Sequence, residues 1–189
     1  NISAYIPTNL ISITDGQIVL DADQFNRGVK PAVDVGRSVS RVGGAAQTPA
    51  MRAVAGDLRL ELAQFEEVAR FARFGTEVDQ ATQNQIERGK RLQAVLKQSV
   101  HMPLALERQI VILFAAINGL LKDVSIDDIL IFERELLAFM ETVEPHLLVQ
   151  ITRSGGFDDA VQDELRVAID AFRETWFDKS VAGEPPASI

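Results

Sequence analysis

Between Gly28 and Gln47 the chain reads GVKPAVDVGRSVSRVGGAAQ, and two serines spaced i and i+2, Ser38 and Ser40, run directly into Arg41. Gly28, Pro31, Gly36, Gly43 and Gly44 punctuate the stretch. These residue types share one chemistry. Small residues let a backbone approach a ligand closely, hydroxyls donate and accept, and a guanidinium fork matches phosphate oxygens. From the residues alone two readings stay open: part of an active-site loop, or a surface connector of the ordinary kind. What such a loop would act on is missing. The sequence has no G-x-x-x-x-G-K-[ST] phosphate loop, and no lysine follows Gly43-Gly44 to reach a phosphate.

Composition removes several alternatives. Of 189 residues, 27 are acidic and 19 basic, a formal net charge of −8, which disfavours nucleic-acid binding. There is no cysteine, so disulfides, thiol catalysis and thiolate metal sites are excluded. The two histidines, His101 and His146, lie far apart without HExxH spacing, and no metal site is expected. They read as surface or capping residues. The longest apolar run, Ile110–Leu121, contains Asn118 and Gly119 and falls short of the roughly twenty residues a bilayer requires, so it reads as a buried helix. The first residues lack a basic n-region, an apolar h-region and an initiator methionine, as expected of a processed, truncated or partial polypeptide.

The elements that must position the loop divide into two parts. Residues 1–47 read as strand and loop: Leu10–Ile13 and Gln17–Leu20 are β-rich runs around Thr14-Asp15-Gly16, a tight-hairpin signal. So few strands cannot bury both faces, and this part is expected to need more polypeptide or another subunit. Residues 48–182 read as an all-α bundle of five or six helices. Thr48-Pro49 caps its start, Leu58, Leu62, Phe65, Ala69 and Ala72 form an apolar stripe, and further helices are expected near 79–99, beyond Pro103, from Ser125-Ile126-Asp127-Asp128, over 145–152 and after Gly155-Gly156. Residues 183–189, with two prolines, read as a flexible tail. Glu66-Glu67, Asp127-Asp128 and Asp158-Asp159 read as solvated faces or first-turn acids, not as catalytic pairs.

Taken together, Ser3–Asn9, Ile11–Ile18, Pro31–Gly36 and Ser38–Gly43, with Ala45-Ala46-Gln47, Ala81-Thr82-Gln83 and Leu96-Lys97-Gln98, closely resemble the alpha-subunit family of F-type ATP synthases over essentially the whole sequence. The resemblance implies an α+β, mainly α fold: the last strands of a RecA-like α/β nucleotide-binding domain, then an all-α C-terminal helical bundle. It implies an alpha subunit alternating with beta subunits around a gamma rotor, with contacts to a delta or peripheral stalk. ATP or ADP with Mg2+ would bind in the full complex. The complex would sit peripherally on the cytoplasmic face of a bacterial plasma membrane or the matrix or stromal face of an organelle membrane, touching the membrane only through another sector.

The resemblance also assigns residues. Arg41 matches an arginine finger supplied in trans to a catalytic site lying mainly on beta, with Ser38 and Val39 shaping its loop and Ser12 on the same interface. Phe25, Lys30, Pro31 and Gln98 match the adenine pocket of a separate, non-catalytic nucleotide site. Three positions depart from the family pattern: Lys30 where arginine is common, Val100 where a second glutamine is common, and Arg37 where an aliphatic or small residue is common. The turn at Phe74–Gln80 matches a rotor-facing segment, against the plain reading of an exposed acidic connection. The competing reading is a stand-alone helical interaction module that docks through its N-terminal strands.

Overall fold

A computed structural model describes residues 3–56, 58–72, 79–153 and 157–181, with only the backbone for the last three. The expected tail and residues 74–78 of the rotor-facing turn lie outside the described residues. The fold is mixed α+β and mainly α.

The N-terminal part departs from the hairpin expected there. Tyr5–Ile13 forms helix α1, so Leu10–Ile13 is helical. β-propensity is a weak prior, and one local feature is compatible with helix. Pro7 lies in the first turn, where its missing N–H has no intrahelical partner to lose. The hydroxyls of Thr8, Ser12 and Thr14 donate back to the carbonyls of Ala4, Thr8 and Leu10 at 2.8, 2.9 and 3.0 Å. The Asp15-Gly16 pair does not join two consecutive strands. Strand β1 (Gly16–Gln17) pairs antiparallel with β2 (Val39–Ser40), Gly16 opposite Ser40 and Gln17 opposite Val39. Glycine at position 16 is required by close approach, since a Cβ there would fall 2.5 Å from the Val39 carbonyl oxygen. A bridge between Leu20 and Val33 extends the pairing around helix α2 (Ala22–Asn26), which the Asp21 carboxylate caps at the Gln24 N–H.

The bundle follows the sequence more closely, although the described residues form seven α-helices there where five or six were expected. Thr48 accepts from the Met51 N–H and starts α3 (Pro49–Ala55), and α4 (Leu58–Ala72) carries the buried Leu62 and Phe65. Helix α5 (Gln80–Val95) begins at Asp79, whose carboxylate accepts the Thr82 N–H and is held below its ordinary pKa by the Thr82 hydrogen bonds. Helix α6 (Leu106–Ile117) is the apolar run read as a buried helix, with Ile110, Val111 and Ala115 fully buried. It packs against α3, α5, α7 (Ile129–Thr142), α8 (Pro145–Thr152) and α9 (Asp159–Val181). Ser125 makes no side-chain cap, and a 3-10 turn over Ile126–Asp128 leads into α7 instead. Asp158 acts as a cap, its carboxylate accepting the Val161 N–H at 3.0 Å. Phe132 meets Phe172 and Trp176 edge-on at 5.1 and 5.3 Å between centroids, tying α7 to α9.

Candidate functional site

Arg41 directly follows β2, and the pairing of β1 with β2 brings that arginine to the C-terminus of α1. Its N–H donates to the Asp15 carbonyl at 2.8 Å. Its guanidinium donates to the carbonyls of Ile11 at 3.2 Å and Ser12 at 3.4 Å. These carbonyls form the negative end of α1, where a cation is favoured. Among the described residues Arg41 forms no ion pair with a carboxylate, and its side chain is exposed. Arg41 and Ser12 thus lie side by side; Ser12 is on a helix, not on the strand expected, and its hydroxyl is turned to Thr8.

The serines hold the loop. Ser38 is half-buried; its hydroxyl donates to the Asp34 carbonyl at 2.6 Å and accepts the Val19 N–H at 3.0 Å. The Ser40 hydroxyl accepts the Gly43 N–H at 2.9 Å. Val39 offers an exposed side chain beside them. Arg37 is absorbed into the scaffold: it pairs with Asp34 at 2.5 Å and Asp21 at 2.9 Å. Partial burial works to raise the Asp34 carboxyl, but the Arg37 N–H, the Arg37 guanidinium and the Gly36 N–H outweigh it and leave it below the ordinary carboxylate range. The same Asp34 hydrogen bond and charge hold Arg37 protonated.

The second group of predicted residues also converges. The Lys30 ammonium lies 4.6 Å from the Phe25 ring centroid, within cation–π range. A cis peptide joins Lys30 to Pro31, and the Lys30 carbonyl accepts the Gln98 N–H at 2.9 Å. The Gln98 amide donates to the Met102 carbonyl at 2.8 Å, which leaves its oxygen as an acceptor. The Phe25 ring is 56% exposed. Val100 is 76% exposed and adds no polar group.

A separate groove of about 610 Å³ runs between α2, α4 and α5, lined among others by Asp21, Arg27, Asp34, Glu66, Arg70 and Lys90. It contains none of the predicted site residues. Glu66 is half-buried in it, not on a solvated face, and burial together with the Asp34 charge raises its pKa. His146 lies 3.4 Å from Glu144, and His101 adopts φ 64° on an exposed turn. No group of three or more His, Cys, Asp or Glu among the described residues could hold a metal ion. No described helix is long and apolar enough to cross a membrane.

Sequence reading missed the residues that fix the loop from outside it. Arg52 donates to the Gly44 carbonyl and Arg59 to the Gly36 carbonyl. Their targets are backbone oxygens, which leave no mark in residue type.

Two family models match the sequence: the ATP synthase alpha/beta family, nucleotide-binding domain, over residues 1–40, and the ATP synthase alpha/beta chain, C terminal domain, over residues 47–172. Among curated proteins it is similar to ATP synthase subunit alpha of Aquifex aeolicus, 49% identical over 174 residues, covering 92% of this chain and 35% of that protein. It is similar to ATP synthase subunit alpha of Syntrophomonas wolfei, 48% identical over 176 residues, covering 93% and 35%. A Clostridium botulinum ATP synthase subunit alpha is 48% identical over 180 residues, covering 95% and 36%. The chain spans about a third of the length of these relatives.

Proposed function

The chain belongs to the ATP synthase alpha/beta family, and from that premise we propose that it is part of the alpha subunit of a proton-translocating rotary ATP synthase, in which Arg41 serves a nucleotide held mainly by a neighbouring beta subunit. Residues 1–47 would then complete a nucleotide-binding domain and residues 48–182 would form the helical domain, facing a gamma rotor and a peripheral stalk. The complex would be peripheral on its membrane.

One observation carries this reading. Arg41 stands exposed at the end of a strand, resting on neutral carbonyls at 3.2–3.4 Å and paired with no carboxylate among the described residues. Contacts of that length to uncharged acceptors are weak competitors for an anion, because hydrogen bonds between two charged partners are shorter and stronger. Phosphoryl transfer spreads charge over the equatorial oxygens of the migrating group, and an arginine brought across an interface stabilises that charge only when the subunits close. The loop is therefore half of a site. Ser38 and Ser40 spend their hydroxyls on loop backbone, so their contribution is to hold Arg41 in place.

Phe25, Lys30, Pro31 and Gln98 would hold the adenine of a second nucleotide in a non-catalytic site. Lys30 there supplies a point charge over Phe25 where an arginine could stack as a plane. Mg2+ bound with the nucleotide would neutralise phosphate charge. The exposed apolar side chains of Tyr5, Ile6, Ile13, Ile18 and Leu20 support burial of the N-terminal part against further protein. Replacing Arg41 with Ala or Lys in the assembled complex is expected to lower multisite ATP hydrolysis by about 10³-fold or more. Wild-type turnover in both variants would end the reading.

A further inference from the structure

The loop that carries Arg41 is grasped at both ends by arginines from the bundle. Before it, Arg59 on α4 donates from Nη2 to the Gly36 carbonyl at 3.2 Å. After it, Arg52 on α3 donates from Nε and Nη2 to the Gly44 carbonyl at 3.0 and 2.5 Å, and from Nη2 to the Gln47 carbonyl at 3.5 Å. Among the described residues neither arginine forms an ion pair, so both spend their donors on loop backbone.

Their helices are anchored where the loop is not. Ala50 and Val54 of α3 are 3% and 4% exposed, and Leu62 and Phe65 of α4 are both 7% exposed. On the loop, Val39 and Val42 are 45% and 52% exposed, so apolar packing does little to fix its orientation. Upstream, Val35 packs against the bundle core and the Lys30 carbonyl accepts the Gln98 N–H, but between Gly36 and Gly44 the other hydrogen bonds stay within the N-terminal part: Arg41 to Asp15, Ser40 to Gly43, and Asp34 to the Arg37 N–H. A cationic donor to a carbonyl is stronger than a neutral one. An error of about 1 Å in placing a group that stabilises a transition state costs about 10²-fold in rate.

We propose that Arg52 and Arg59 are positioning residues for Arg41, a two-point clamp through which the helical bundle sets the loop's orientation toward the neighbouring subunit's nucleotide. The proposal rests on the assignment of Arg41 as the trans-acting group. It predicts a defect in turnover without a matching defect in nucleotide affinity, because the clamp touches no nucleotide.

The test uses the full-length subunit assembled with its beta and gamma partners. It compares Arg52→Gln with Arg59→Gln as a double variant, Arg52→Lys with Arg59→Lys as a second, and Arg41→Ala. The Gln pair is expected to lower kcat about 10-fold or more with KM within about twofold, while the thermal midpoint of the complex holds. A nitroxide attached at Val42→Cys is expected to become more mobile in the Gln pair. The Lys pair, which restores a cationic donor at each end, is expected to recover most of the turnover and the immobilisation. Wild-type kcat in the Gln pair beside a collapsed Arg41→Ala overturns the clamp and leaves the trans-acting arginine standing. A loss of kcat that only follows a lost thermal midpoint also overturns it. Wild-type turnover in Arg41→Ala removes the assignment and the clamp with it.

Discussion

Phe25 and Phe132 are the same residue type in the two regions, and their surroundings are opposite. Phe132 on α7 is 1% exposed and locked edge-on against Phe172 and Trp176. Phe25 on α2 is 56% exposed and covered by one ammonium group. The contrast extends to the regions themselves. The bundle holds nearly all of the described core and, of the candidate chemistry, only Gln98. The N-terminal part holds the candidate chemistry, little core of its own, and a shape fixed by polar ties: Asp34 to Arg37, Ser38 to Val19, Arg41 to the end of α1. On the proposed reading this site meets a second subunit, which accounts for the outward apolar side chains and guanidinium, and it borrows rigidity from the bundle through Arg52 and Arg59.

That division can be broken by stability measurements. Phe132→Ala is expected to cost about 3–5 kcal/mol in chemical denaturation, because it removes a buried ring and leaves a cavity. Phe25→Ala should cost less than about 1 kcal/mol. Equal losses would mean that the N-terminal part contributes core after all. Gly89 gives the next largest effect. A Cβ there would fall 2.2 Å from the Phe65 ring, so α4 and α5 meet at this glycine, and Gly89→Ala is expected to cost about 1–3 kcal/mol. A neutral result would show that the α4–α5 contact can yield.

The smallest effect concerns pH. Burial lifts Glu133 from 4.5 to about 7, and its Oε2 atom has no hydrogen-bond partner. The folded protein therefore holds a proton that the unfolded protein releases, and stability falls as pH rises from 4.5 towards 7, then levels off. Partial exposure screens the charge, so Glu133→Gln is expected to stabilise the fold by about 1–2 kcal/mol at pH 8 and to change little at pH 4. A gain of equal size at both pH values would contradict burial of an ionising carboxyl as the cause.

The sequence exposed the two regions unequally, for physical reasons. Thr48-Pro49, Pro145 and the apolar run at Ile110 mark helix ends and burial by residue type, and the bundle follows them. Gly89 carried no such mark, because its need for a missing Cβ comes from Phe65, twenty-four residues earlier in the sequence. Asp15-Gly16 was misleading in the same way: glycine is needed there for the close pass of Val39, not for a turn. At the candidate site, type and spacing pointed to Ser38, Ser40 and Arg41 but left site loop and plain connector both open. The carbonyls of Ile11, Ser12, Gly36 and Gly44 that hold Arg41 and its loop were not, since every residue has a carbonyl and only the fold selects which ones serve.

On the proposed reading Arg41 serves the transition state of a reaction on a neighbouring subunit while the bundle supplies rigidity. Affinities of the assembled complex for MgADP and for MgADP with aluminium fluoride, a mimic of the transferring phosphoryl group, test it most directly. In Arg41→Ala the affinity for the mimic is expected to fall by about 10²-fold or more, with MgADP affinity within a few-fold of wild type. Equal retention of both ligands, or an equal loss of both, would contradict it.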